Sequence, residues 1–108
     1  MKPLVYIAGP YTKPDPCENT HKALLAADAL LDCCAPVVPH LSHFWHTMSP
    51  KPYEFWLELD LAYLATCAAL LRLPGESAGA DAELVKAREW GIPVFYSEDD
   101  LRAWLASA

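Results

Sequence analysis

Residues 70–86, Leu-Leu-Arg-Leu-Pro-Gly-Glu-Ser-Ala-Gly-Ala-Asp-Ala-Glu-Leu-Val-Lys, constrain this chain more than any other stretch. The apolar run over residues 68–73 has the length of a strand, and Pro74-Gly75 stops it. Ser77 stands where a helix N-cap belongs, and from Ala78 the pattern turns helical, with Ala80, Leu84 and Ala87 on one stripe. Strand, tight polar turn and helix form a corner of an open α/β sheet, whose ligands sit in the crevice at the carboxyl ends of the strands. The first N–H groups of the helix, at Ala78, Gly79 and Ala80, have no intrahelical partner and favour an anion in that crevice. Glu83 falls one position from the Leu84 stripe, at the edge of the buried face. A carboxylate held there is a candidate nucleophile or base; the ordinary alternative is a solvated helix glutamate.

The rest of the chain repeats the same alternation. Apolar runs predict a buried strand over residues 4–8, a short one over 36–39 and a last one over 92–96. Helices are expected from Glu18 or Asn19 to Cys33-Cys34, with Ala23, Leu24, Ala27, Leu30 and Leu31 inward, and over 53–64 with a broad apolar face. Gly91 caps the helix that follows Ser77, and Ser97 opens a final helix packed through Leu101, Trp104 and Leu105. Residues 40–46, with His40, His43 and His46 at three-residue spacing, follow a strand and read as a loop facing the crevice. That spacing is not the i, i+4 pairing of helical zinc sites, so histidines lining a polar loop are expected, not a metal site. Strands alternating with helices imply one α/β domain over residues 1–108: a three-layer, flavodoxin-like or Rossmann-like parallel sheet with helices on both faces.

Composition narrows the partners. Of the 108 residues 54% are apolar, enough for a packed core. The net charge of −6 and the lack of any Lys/Arg cluster argue against nucleic acid and for a small ligand. No run approaches the ~18 apolar residues of a membrane span, and Gly9-Pro10 breaks the short apolar start before a signal-peptide pattern develops. The four cysteines form no CxxC pair, and three sit among apolar residues, as reduced thiols of a cytoplasmic protein do.

Gly75, Ser77, Gly79 and Glu83 are spaced as Gly-x-Ser-x-Gly-x-x-x-Glu. With Tyr6-Ile7-Ala8-Gly9-Pro10 at the start and Asp60 between the two motifs, this resembles the nucleoside 2-deoxyribosyltransferase superfamily. That group includes the transferases, the 2'-deoxynucleoside 5'-monophosphate N-glycosidases and small bacterial and phage relatives. The resemblance runs from Val5 to Phe95.

The resemblance implies cleavage of the N-glycosidic bond of a nucleoside or nucleotide, with Glu83 attacking the anomeric carbon. Such a reaction passes through an oxocarbenium-like state that a carboxylate stabilises or bonds. The nearby helix N-terminus would favour ionised Glu83. By the same resemblance Tyr6 orients Glu83, Asp60 contacts the substrate, and His43 lies near the base. Gly9 belongs to the substrate-binding residues, and Ser77 with Gly79 binds the sugar or phosphate end; a serine at position 77 matches the nucleotide branch, where the transferases carry an aspartate. No metal or organic cofactor is implied, and a homodimer or larger homo-oligomer is expected. Water or a second base resolves the glycosyl-enzyme, which divides hydrolase from transferase. The reading from another class is a nucleotide-binding or sensing module without turnover; it has no use for a nucleophile and its orienting tyrosine.

Overall fold

Strand β1 (Leu4–Ala8) encloses Val5, Tyr6, Ile7 and Ala8 completely, as a strand covered on both faces does. In the computed structural model, which describes residues 1–107, it pairs with β2 (Ala35–Val37) on one side and β3 (Ala69–Arg72) on the other. Strand β4 (Val94–Phe95) lies beyond β3, and all the pairings are parallel. The four-stranded order β2-β1-β3-β4 confirms the expected α/β class.

Side-chain alternation divides the core into two layers. Val5, Ile7, Ala69 and Leu71 point to one face, where Ala23 and Ala27 of α1 (Pro16–Asp28) and Leu101 of α5 (Glu98–Ser107) cover them. Tyr6, Ala8 and Leu70 point to the other, against Leu64 of α3 (Tyr53–Leu64) and Ala80 and Ala87 of α4 (Ala78–Glu89). One buried tyrosine thus faces the two helices that carry Asp60 and Glu83.

Several boundaries differ from expectation. Helix α1 begins at Pro16, because the Asp15 side chain accepts from the Cys17 N–H at 3.2 Å and proline suits the first helical position. Leu24 and Leu31 are exposed, at 38% and 52%, not inward. The flanking edge strand has three residues, and the small Ala23 and Ala27 make the close contact with the sheet. Residues 40–46 are not a loop: a 3-10 turn (Pro39–Leu41) leads into α2 (Ser42–Met48). Helix α4 ends as expected at Gly91, at φ +72°, with Ile92 N–H bonded to Ala87 C=O and Gly91 N–H to Arg88 C=O.

Candidate active site

From β1 the chain crosses through α1 to β2 on one side and returns through α3 to β3 on the other, so a topological switch point lies at the carboxyl ends of β1 and β3. A cleft of about 1450 Å³ opens there. Its walls are the turn after β1, the turn between β3 and α4, and residues Tyr53, Trp56, Leu57 and Asp60 of α3. Those four recur at i, i+3, i+4 and i+7, so α3 turns one full stripe into the cleft.

Glu83 lines this cleft and is only 6% exposed, alongside Ala80 and Ala87 on the buried face of α4. It sits inside that face, not at its edge. The Tyr6 hydroxyl, itself fully buried, donates a hydrogen bond to Glu83 Oε2. Burial pushes the Glu83 carboxyl up to about 7, opposed by the Tyr6 hydrogen bond and the Arg72 charge. Desolvation outweighs both of these, so Glu83 is not held low as expected from the helix terminus. Tyr6 is held firmly as the neutral phenol by burial and by the Glu83 and Asp60 charges.

Asp60 shares the cleft, and its carboxyl is also pushed up to about 7, by burial first and then by Glu83. Two carboxyls whose charges oppose each other do not both ionise readily at neutral pH. Tyr53 stands near both; burial and the Glu83, Asp60 and Glu54 charges raise its phenol.

The turn between β3 and α4 is built for close approach. Gly75 adopts φ +117°, and a Cβ there would lie 2.7 Å from Pro10 Cγ. A Cβ on Gly79 would stand 3.2 Å from the Tyr53 hydroxyl, and one on Gly9 would stand 3.1 Å from Leu73 Cβ. Arg72 braces the turn: it donates to Leu73 C=O and Gly75 C=O and pairs with Asp81 at 3.1 Å. Ser77 is the N-cap, its Oγ accepting from Ala80 N–H at 3.1 Å. Its own hydroxyl proton remains available to the cleft. Arg72 was legible as the one charge in an apolar strand; its task was not.

The histidines do different things. Buried His40 donates from Nε2 to Pro10 C=O at 2.9 Å, and burial lowers its pKa. Its Nδ1 has no partner among the described residues. His43 is not part of the cleft lining; its Nδ1 pairs with the Tyr11 hydroxyl at 2.6 Å, and Tyr11 itself lines the cleft. His46 does line it, with Trp56 beside it. Among the described residues no three His, Cys, Asp or Glu side chains gather as metal ligands. The cleft thus unites Gly9, Asp60, Ser77, Gly79 and Glu83, with Tyr6 behind Glu83, and leaves His43 outside.

A solved 2-deoxyribosyltransferase from Bacillus psychrosaccharolyticus shares this fold, with a TM-score of 0.58 at 18% identity, over 84% of this chain and 69% of that one. No curated protein matches the chain. A family model described as a domain of unknown function, DUF7768, matches residues 3–97, and the chain belongs to that family.

Proposed function

We propose that this protein cleaves the N-glycosidic bond of a deoxynucleoside or its 5'-monophosphate, with Glu83 as nucleophile. The observation that carries this is the buried Tyr6–Glu83 pair on the cleft wall, with Asp60 beside it. A carboxylate buried at a cost, held by a neutral phenol and open to a ligand cleft serves chemistry better than stability. The fold shared with a 2-deoxyribosyltransferase supports the same reading.

In this reading a Glu83 carboxylate oxygen attacks the anomeric carbon. The bond from that carbon to the base nitrogen breaks, and its electron pair leaves with the base. Protonated Asp60 supplies the proton that the departing base takes up, leaving Asp60 ionised. The glycosyl ester on Glu83 is then cleaved by water, giving a free sugar, or by a second base, giving a new nucleoside; the attacking O–H or N–H gives its proton to ionised Asp60, and Glu83 leaves as the carboxylate. Tyr6 neutralises part of the Glu83 charge and fixes its rotamer without titrating. The Ser77 hydroxyl and the free N–H groups near Gly79 hold the 5' end of the substrate, and Gly9 lets the turn after β1 approach it. The reaction calls on no metal or cofactor, and a second copy of the chain covers the apolar outer face of α2.

The test is incubation with a panel of deoxynucleosides and their monophosphates, with and without a free acceptor base, followed by chromatography. Release of base, or exchange of one base for another, is expected. Tight binding with no release from any member would favour the sensing module instead.

A further inference from the structure

His46 stands apart from the residues already placed in the reaction. Its Nδ1 accepts from Trp56 Nε1–H at 2.7 Å and from Lys51 N–H at 3.3 Å. An indole nitrogen and a backbone amide can only donate, so Nδ1 must present its lone pair to both. That fixes the ring proton on Nε2. Trp56 is itself held edge-to-face against Trp45 and Phe55, with centroids 5.4 Å away in each case, so the donor that sets the tautomer does not swing. Nε2 makes no hydrogen bond among the described residues and is not a buried orphan, and His46 is one of the residues that line the cleft. Trp56 and Asp60 are one helical turn apart on the cleft stripe of α3, so His46, bonded to Trp56, borders the wall that carries Asp60.

Resting on the proposed glycosidic cleavage, we infer that His46 is the specificity residue of the cleft: its locked Nε2–H donates to a ring or carbonyl acceptor on the edge of the leaving base. A fixed donor discriminates well, because a base lacking the acceptor leaves the N–H without a partner in the closed site. It also gives Asp60 a defined base orientation in which to deliver its proton. His46 thus has the base-facing position that His43, turned to Tyr11, does not occupy.

Two measurements test this separately from the reaction. The first needs no substrate: nitrogen-15 correlation spectra of the imidazole rings should show Nε2 protonated and Nδ1 bare in His46. A protonated Nδ1 would overturn the inference and leave the proposed cleavage standing. The second uses Glu83→Ala as a non-cleaving background and measures the binding of 2'-deoxyadenosine, its 3-deaza and 7-deaza analogues, and 2'-deoxycytidine. Adding His46→Phe should weaken whichever natural nucleosides bind by about two- to twelve-fold, the span of one neutral hydrogen bond. If 2'-deoxyadenosine is held through N3 or N7, the analogue lacking that atom should no longer respond to His46→Phe. His46→Gln, whose amide nitrogen reaches the place of Nε2, should restore binding to within about twofold of the background. Unchanged binding in His46→Phe, or equal binding by His46→Phe and His46→Gln, overturns the inference. The same four are measured as their 5'-monophosphates; if wild type and background bind none in either form the inference is overturned, and the proposed function falls with it only if the wider panel of deoxynucleosides and monophosphates also shows no release of base.

Discussion

The Tyr6 hydroxyl and the Glu83 carboxylate, 77 residues apart, meet in a hydrogen bond inside the protein. Tyr6 comes from a central strand and Glu83 from the helix that covers that face, so sheet alternation and helix phase together bring them into contact. The bond favours ionised Glu83, and burial opposes it more strongly. The pair is a compromise between holding a charge and hiding it.

That compromise weakens the fold at high pH. The folded-state pKa of Glu83 is raised from 4.5 to about 7. A raised carboxyl costs nothing below its unfolded value, progressively more as pH rises from there to about 7, and a constant amount above that. Glu83→Gln keeps an acceptor for Tyr6 and removes the charge. It should stabilise the protein by roughly 3 kcal/mol at pH 8, with no gain at pH 4. Thermal melts at the two pH values check this, and an equal Tm shift at both would contradict it. The same variant should lose turnover by at least about a thousandfold, as removal of a nucleophile does.

The pH dependence of kcat/KM should be a bell centred near 7. The acid limb reports Glu83, which must be ionised, and the alkaline limb reports Asp60, which must be protonated; both carboxyls lie at about 7. Tyr6→Phe removes a hydrogen bond to a charged group, about 1.5–3 kcal/mol. It should move the acid limb up by about one to two pH units. Asp60→Asn should flatten the alkaline limb and lower kcat about a hundredfold. Rate profiles that keep both limbs in Asp60→Asn would remove Asp60 from the acid's role.

Ser77 carries two tasks that one variant separates. Its Oγ caps α4 through Ala80 N–H. Ser77→Ala should therefore cost about 1 kcal/mol, or roughly 4–8 °C in Tm for a domain of this size. If its proton also holds a 5'-phosphate, the monophosphate-to-nucleoside ratio of kcat/KM should fall about tenfold, while the nucleoside alone is processed nearly as before. A Tm shift with an unchanged ratio would leave Ser77 only its cap. Glu76, exposed in the same turn, works against a phosphate, and Glu76→Gln should raise the ratio.

How much of this was legible in the sequence depends on whether the cause is local. The cap at Ser77, the glycines at 75 and 91 and the acid-rich start of α5 follow from backbone physics within a few residues, and all lie where expected. The interior position of Glu83 was not legible from periodicity. The apolar stripe selected Leu84, and only a tyrosine hydroxyl from another element makes room for a carboxylate there. The histidine wall was misread for a related reason. Residues 40–46 read as a loop because they follow a strand, while Leu41, Phe44, Trp45 and Met48 carry a helical i, i+3, i+4, i+7 stripe. That stripe went unread, because the core it would pack against lies elsewhere: all four of its residues are exposed.

The stripe faces outward, and its exposure predicts assembly. Leu41, Phe44, Trp45 and Met48 are 61%, 76%, 45% and 71% exposed, and Phe55, joined to them through Trp56, is 44% exposed. At about 150–250 Å² per aromatic side chain, the open parts of Phe44, Trp45 and Phe55 alone come to roughly 300 Å². Leu41 and Met48 extend the patch toward the size at which apolar surface marks an interface. A symmetric pair would match this stripe against its own copy, as isologous dimers do, and reach the roughly 800 Å² per partner of a stable interface with the polar rim included. The opposite side of α2 carries Ser42 and His46 into the cleft, so fixing its outer face also steadies the wall of the site. Sedimentation at micromolar concentration should therefore show a dimer or larger species. Phe44→Glu, which places a charge at the most exposed point of the patch, should shift it to monomer with no loss of helix by circular dichroism. Wild type sedimenting as monomer, or Phe44→Glu with unchanged mass, would show that this face stays in solvent.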